Sequence, residues 1–259
     1  MLEREDMNDA QLMRYHRQIM LPEFDVAGQE RLRRSQVLVV GLGGLGCPVA
    51  LYLAAAGVGE LILVDPDRVE VSNIQRQIAH TEQNVGQLKV ESAAESVRAI
   101  NPEVKVTVVP EALDERSAAK WVSVADAVVD CTDNFATREL INAEVVKQGR
   151  IVVSGAAIRF EGQLSVFDMR RDDSPCYHCL YGAMGDTGLT CSEAGVMSPV
   201  VGIIGAAQAL ETIKVLTGTG EPLVGQLQVF DGLSHQWRRF RLKRDPACPV
   251  CAGRRLPDA

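Results

Sequence analysis

A glycine-rich turn, an acid and two cations follow one another in this chain in an order suited to a nucleotide that carries several phosphates. Gly41-Leu42-Gly43-Gly44-Leu45-Gly46 contains the spacing G-x-G-x-x-G and directly follows the apolar run Val37-Leu38-Val39-Val40. Glycines at such places let the backbone turn tightly and approach a ligand, and the helix that follows points its unpaired N–H groups at phosphate oxygens. A second apolar run, Leu61-Ile62-Leu63-Val64, ends in Asp65. An acid about twenty residues past the glycines is where a Rossmann domain grips ribose hydroxyls. The chain continues through Asp67, Asn73, Arg76, Gln77 and Lys89. A guanidinium and an ammonium beside a ribose acid suit phosphates better than a redox ring. Singly, each feature has a plainer reading: a ligand-free strand–helix turn, a solvated acid in Asp65-Pro66-Asp67, ordinary surface charges at Arg76 and Lys89. Their succession between strand and helix signals favours the nucleotide.

Cys131-Thr132-Asp133-Asn134 follows a further apolar run, Ala127-Val128-Val129-Asp130. Asp133 offers a carboxylate to magnesium, which prefers carboxylate, water and phosphate oxygens. Asp or Asn here would equally cap a helix, and the two roles are compatible.

Seven cysteines are present, Cys47, Cys131, Cys176, Cys179, Cys191, Cys248 and Cys251. An odd number in a chain that opens without a secretion signal argues against a disulfide framework. Cys176/Cys179 and Cys248/Cys251 have the C-x-x-C spacing of zinc knuckles. One structural zinc held by all four would tie a long loop to the C-terminal tail. Two redox pairs are the alternative, but thioredoxin-type pairs begin a helix, and these read as loop and tail. Cys191 lies outside a completed four-cysteine set, and Cys47 and Cys131 read as packing residues. His16, His80, His178 and His235 are scattered and give no sign of a catalytic histidine.

The elements that must position these residues alternate. Asn8 can cap a helix over 9–20, and a second helix fits 27–34. Strands are expected at 36–41, 60–65, 104–109, 125–130, 150–154 and 162–168. Helices are expected at 44–57, 85–100, 114–122 and 134–148. Residues 170–198 read as a long loop, a helix follows to about 217, and 226–242 reads as a hairpin. This is an α/β pattern: a Rossmann-like, doubly wound, largely parallel sheet with extra C-terminal antiparallel strands and a four-cysteine zinc site. The 259 residues, 46% of them hydrophobic, can supply a core, and the net charge of −7 argues against non-specific nucleic-acid binding. The polar, acidic start and the lack of an apolar run of roughly 18 residues point away from a membrane and to the cytoplasm.

Together these residues match a known family. Arg14-Tyr15-His16-Arg17-Gln18-Ile19, the glycine turn, Ser72-Asn73-Ile74-Gln75-Arg76-Gln77, Gly86-Gln87-Leu88-Lys89-Val90, Asp130-Cys131-Thr132-Asp133-Asn134, Ser154-Gly155-Ala156-Ala157, Cys176-Tyr177-His178-Cys179, Glu193-Ala194-Gly195-Val196 and Cys248-Pro249-Val250-Cys251 carry the likeness. The chain resembles the bacterial ubiquitin-activating-enzyme-like adenylyltransferases of the ThiF/MoeB/HesA family from about residue 10 to 252, with the molybdopterin-synthase type the nearest likeness. The resemblance implies one adenylyltransferase domain over 1–259, with N-terminal helices at 10–35, a nucleotide-binding core at 36–169, a crossover loop at 170–198 and a C-terminal helix, hairpin and zinc tail at 199–259. It implies ATP-dependent adenylylation of the C-terminal Gly-Gly carboxylate of a ubiquitin-like sulfur carrier, ahead of thiocarboxylate formation. The small subunit of molybdopterin synthase is the expected carrier, and a thiamine-pathway carrier is the alternative.

By the same resemblance Arg76 and Lys89 lie on the phosphates, Asp65 on the ribose and Asp133 on magnesium. Asn73 helps position the phosphates, and the glycines, Gly44 included, with Asp67, Ser72, Gln77 and Asn134, complete the nucleotide site. Arg17 reaches across a homodimer into the second copy's site; from the residues alone it is a charge on an exposed helix face. Cys191 stands where some members attach covalently to the carrier. With few residues after Cys251, a separate sulfur donor is expected. An NAD-dependent oxidoreductase and a non-enzymatic module for a ubiquitin-like tail are the other readings. The first lacks a hydride-transfer acid or base, and the second is disfavoured by the presence of Arg76, Lys89 and Asp133.

Overall fold

The computed structural model describes residues 7–182 and 194–254. Eight strands form one sheet: β1 (Gln36–Val40), β2 (Glu60–Val64), β3 (Lys105–Val109), β4 (Ala127–Asp130), β5 (Ile151–Ile158), β6 (Glu161–Asp168), β7 (Gln226–Asp231) and β8 (Gln236–Arg241). Their order is β3-β2-β1-β4-β5-β6-β7-β8. The first five in this order pair in parallel and the last three are added antiparallel.

β1, β2 and β4 are apolar along almost their whole length because helices cover both faces of the sheet. Val37, Val39, Leu61 and Leu63 point to one core, and Leu38, Val40, Ile62 and Val64 to the other. The first core is closed by α2 (Asp25–Arg34), α3 (Gly46–Ala56), α5 (Lys89–Ile100) and α9 (Ser198–Thr217). The second is closed by α6 (Glu115–Val124), α7 (Phe135–Gln148) and α8 (Tyr177–Tyr181) together with the C-terminal cysteines. α9 is the one helix among the described residues long and apolar enough to cross a bilayer, and over half of that stretch is buried in the structure. β8 is exposed throughout; its Arg238, Arg239 and Arg241 put charge on the open sheet edge, which disfavours edge-to-edge pairing.

The strand and helix signals correspond closely to the elements. α1 (Asp9–Ile19) is capped by Asn8, whose Oδ1 accepts from Gln11 N at 3.0 Å. Three differences matter. The helix expected from residue 85 begins at Lys89, because Gly86 is left-handed (φ +88°) and Leu88 is extended, paired with Arg68. A short helix, α4 (Val71–Ile74), interrupts what had no assigned element. Within the long loop, Cys176 begins α8.

β1 is followed by a crossover to β2 on one side, and β4 lies on its other side. The carboxyl edge between β1 and β4 is therefore the point where the winding direction switches, the usual ligand position in open α/β sheets.

Candidate functional site

A cleft of about 520 Å³ opens at that edge, within the size range of small-molecule sites. Gly41, Gly43, Gly44, Asp65, Asp67, Asn73, Arg76, Gln77, Lys89, Asp133 and Asn134 all line it. They come from the ends of β1, β2 and β4, from the segment around α4 and from the first residue of α5.

The turn needs its glycines for space. Gly41 has φ +89°, and a Cβ there would lie 2.8 Å from Cys131 O. Gly46 lies under the turn rather than on the cleft wall; a Cβ there would meet Gly41 O at 1.8 Å. Asp65, 5% exposed, braces the turn from below. Its Oδ2 accepts from Leu42 N at 2.6 Å and its Oδ1 from Asp67 N at 2.8 Å. Burial raises its pKa, and the nearby Lys89 ammonium works against that rise. Lys89, 6% exposed, pairs with Asp67 Oδ2 at 2.8 Å. A buried ammonium with one carboxylate partner keeps further N–H donors for an anion.

Arg76 Nη1 donates to Ser72 O at 3.1 Å, which anchors the guanidinium to α4. Ser72 is not on the cleft wall; its hydroxyl accepts from Asn73 Nδ2 at 3.2 Å. Gln77 lines the cleft with a buried Oε1 that has no hydrogen-bond partner, so the cavity is built for a polar occupant. At the β4 end, the cap of α7 is Asn134, whose Oδ1 accepts from Thr137 N at 2.9 Å. Asp133 is not needed for that cap and stands exposed at the cleft. Its carboxylate shares the cleft wall with Arg76 and Lys89, and a carboxylate oxygen is a donor suited to a hard cation.

Beneath Asp133 lies a buried polar cluster that local sequence reading missed. Asp130 Oδ1 accepts from Thr132 N at 3.1 Å and Thr132 Oγ1 at 2.7 Å, and its Oδ2 from Ser154 Oγ at 2.9 Å. Arg138 Nη2 donates to Thr132 O and, at 3.1 Å, to Gly155 O, with Nε 3.9 Å from Asp130 Oδ2. Gln208 Nε2 donates to Asp130 O at 2.8 Å. The clues were an arginine near the first turn of α7, against the helix dipole, and one amide inside the apolar α9.

Arg17 is not on this cleft. It is exposed on α1, whose Gln18 donates to Ala56 O at the C-terminal end of α3, while the glycine turn is at the N-terminal end. Eleven helical residues put roughly 16 Å between the two ends. Cys191 lies outside the described residues, as does Glu193.

Four cysteines form a second site. Cys176 Sγ lies 3.8 Å from both Cys179 Sγ and Cys248 Sγ, and Cys179 Sγ lies 3.5 Å from Cys251 Sγ. All four sulfurs fall within 4.8 Å of one another. A tetrahedral metal with M–S near 2.3 Å places sulfurs about 3.8 Å apart, so the set fits a closed metal site. Asn142 Nδ2 reaches Cys176 Sγ at 3.8 Å while its Oδ1 accepts from Tyr177 N at 2.9 Å. Cys176 is the N-cap of α8 rather than a loop residue, so its position does not set the first pair apart from a redox pair. The joining of both pairs in one cluster is the stronger argument.

A model of the ThiF family matches residues 15–250. The molybdopterin-synthase adenylyltransferase of Escherichia coli (strain K12) is 48% identical over 246 residues, covering 95% of this chain and 98% of that protein. The sulfur carrier protein ThiS adenylyltransferase of the same organism is 44% identical over 247 residues, covering 95% and 98%. E. coli MccB, solved with ATP, superposes with a TM-score of 0.77 at 25% identity, covering 87% of this chain and 69% of that one.

Proposed function

Because the chain belongs to the ThiF family, we propose that it is an adenylyltransferase that activates the C-terminal Gly-Gly carboxylate of a ubiquitin-like sulfur carrier with ATP, most directly the small subunit of molybdopterin synthase. The observation that carries this reading is the convergence of Arg76, Lys89 and Asp133 on one cleft with the glycine turn and Asp65. Two cations beside the ribose acid suit a nucleoside triphosphate better than a redox dinucleotide, and a non-enzymatic module has no need to keep them.

In this reading the carrier's carboxylate oxygen attacks the α-phosphorus of ATP. The new bond is the O–P bond of the acyl-adenylate; the bond to the bridging oxygen of the β-phosphate breaks, and pyrophosphate leaves with the electron pair. Negative charge meets negative charge in this step, so cations must offset the repulsion. Lys89 and Arg76 supply two of them. Asp65 holds the ribose, the N–H groups of the turn and α3 face the phosphates, and Asn73 and Gln77 orient them. Magnesium held by Asp133 would neutralise further phosphate charge. The four-cysteine cluster holds zinc as a clamp with no open position.

The site is completed by a second copy of the chain. Arg17 cannot serve its own cleft from the far end of α3, and large apolar side chains are exposed on α1 and on the neighbouring helices: Met13, Met20, Leu21 and Val26 along α1 and α2, Tyr52 on α3 and Leu210 on α9. A homodimer that packs this surface against the rim of the other copy's cleft would bring Arg17 of one copy to that cleft. Cys191, outside the described residues, is the candidate for a covalent link to the carrier, with sulfur coming from a separate donor, in the cytoplasm.

Carrier-dependent exchange of labelled pyrophosphate into ATP tests the activity, run with a molybdopterin-type and a thiamine-type carrier. Exchange with the first identifies the carrier class; exchange with the second alone moves the assignment to the thiamine pathway; exchange with neither refutes the function. Mixing Arg17→Ala and Asp133→Ala proteins tests the shared site, since one intact cleft per mixed dimer restores activity. Failure to restore it argues against Arg17 acting in trans.

A further inference from the structure

We propose that His80, a residue outside the cleft, positions the glycine turn for ATP; this rests on the nucleotide reading above. His80 is 3% exposed and lies behind the turn. Its Nε2 is 3.1 Å from Leu42 O, and its Nδ1 is 2.8 Å from Ser92 Oγ. Nε2 also lies 3.6 Å from Cys47 Sγ; since that thiol donates to the Leu42 carbonyl and a carbonyl cannot donate, the tautomer that satisfies the shorter Nε2 contact carries the ring proton on Nε2, with Nδ1 accepting the proton of the Ser92 hydroxyl. Cys47 Sγ, 3.3 Å from the same carbonyl, is the only other side chain shown donating to it among the described residues.

These bonds close a circuit. Leu42 N donates to Asp65 Oδ2, Asp65 Oδ1 accepts from Asp67 N, and Asp67 Oδ2 pairs with Lys89 Nζ. Lys89 opens α5, whose next residues carry Ser92, and Ser92 returns to His80 and so to Leu42. The backbone of Leu42 is therefore gripped on both sides, its N–H by the ribose-side acid and its C=O by His80. With the carbonyl drawn back, its negative end is kept from the face where phosphates would lie, and the turn stays in register with the phosphate-side lysine. Pre-organisation of this kind acts on nucleotide affinity, because a loosened turn must be ordered at the moment of binding.

The test compares His80→Phe, which fills the volume without a donor, with His80→Gln, whose amide N–H can reach the Leu42 carbonyl. Titration of the full-length protein with ATP alone, and KM for ATP and for the carrier in the exchange assay, are measured beside thermal stability. His80→Phe is expected to weaken ATP binding about tenfold, the scale of one buried hydrogen bond, with the carrier KM within about twofold of wild type, and His80→Gln is expected to recover most of the loss. Undiminished ATP affinity in His80→Phe overturns the proposal. So does equal loss in both variants with an equal fall in melting temperature, which is the signature of packing alone. If His80→Phe does not fold, Ser92→Ala opens the same circuit from its other end and is expected to weaken ATP about threefold; no weakening there overturns it too. A wild-type protein that fails to bind ATP would instead refute the nucleotide reading itself.

Discussion

Replacing Cys248 and Cys251 together by serine removes half of the sulfur cluster and unties the C-terminal tail from α8. Cys176 and Cys248 are 72 residues apart in the chain, as are Cys179 and Cys251. A crosslink across a loop of that length withholds closure entropy from the unfolded chain worth roughly 4 kcal/mol, if a metal clamp acts as a disulfide does. In a chain of this size each kcal/mol moves the melting temperature by about 2–4 °C, so the double variant is expected to melt roughly 8–16 °C lower. The wild-type protein should release about one zinc ion per chain when its thiols are modified, read with a chromophoric chelator. Strong chelators should lower its melting point toward that of the variant and leave the variant itself unchanged. Metal-free wild-type protein, with a double variant melting within about 2 °C of it, would refute the clamp and return the cysteines to two independent pairs.

Lys89→Met removes a cleft cation that the proposed reaction sets against the phosphates, and carrier-dependent exchange should fall by about 10²–10³-fold; unchanged exchange would take Lys89 out of the chemistry. Arg138→Met leaves Asp130 buried without its cation and should cost about 3 kcal/mol in urea unfolding, whereas a loss below about 1 kcal/mol would mean that the hydrogen bonds to Asp130 suffice alone. Burial, aided by the Lys89 ammonium, holds the His80 pKa below the ordinary histidine value of 6.5. As pH falls below about 6.5 the unfolded chain therefore takes up this proton before the folded one. The contribution of His80 to stability is thus lost downward through that window. His80→Gln should flatten the fall in unfolding free energy between about pH 7 and pH 5 relative to wild type, and identical slopes would show that His80 is not the group responsible.

Much of the site was legible because its signals are local. The apolar run before the glycines, Asp65 at the end of the next run, and the two C-x-x-C pairs each state a type and a spacing within a few residues. The start of α5 was misplaced by four residues because Gly86 and Leu88 are drawn out of helical geometry by pairing with Arg68 and Val69, contacts a local reading cannot see. Asn134 rather than Asp133 caps α7 for a similar reason: either side chain would serve, and only the placed backbone shows which one does.

His80, Asp130, Arg138 and Gln208 were passed over for a deeper reason. Their bonds run to Leu42, Ser154, Gly155 and Val153, partners far away in the chain that come near only when the strands pair. Composition and spacing determined which residues could do chemistry, the alternating pattern that builds the sheet, and the cysteines that could share a metal. The tertiary structure decided which chemical groups meet at the β1–β4 edge, which buried atoms hold the glycine turn, and that Arg17 sits far from its own cleft. Side-chain type and strand period are local properties of the chain, whereas burial and hydrogen-bond partnership exist only once distant segments have packed.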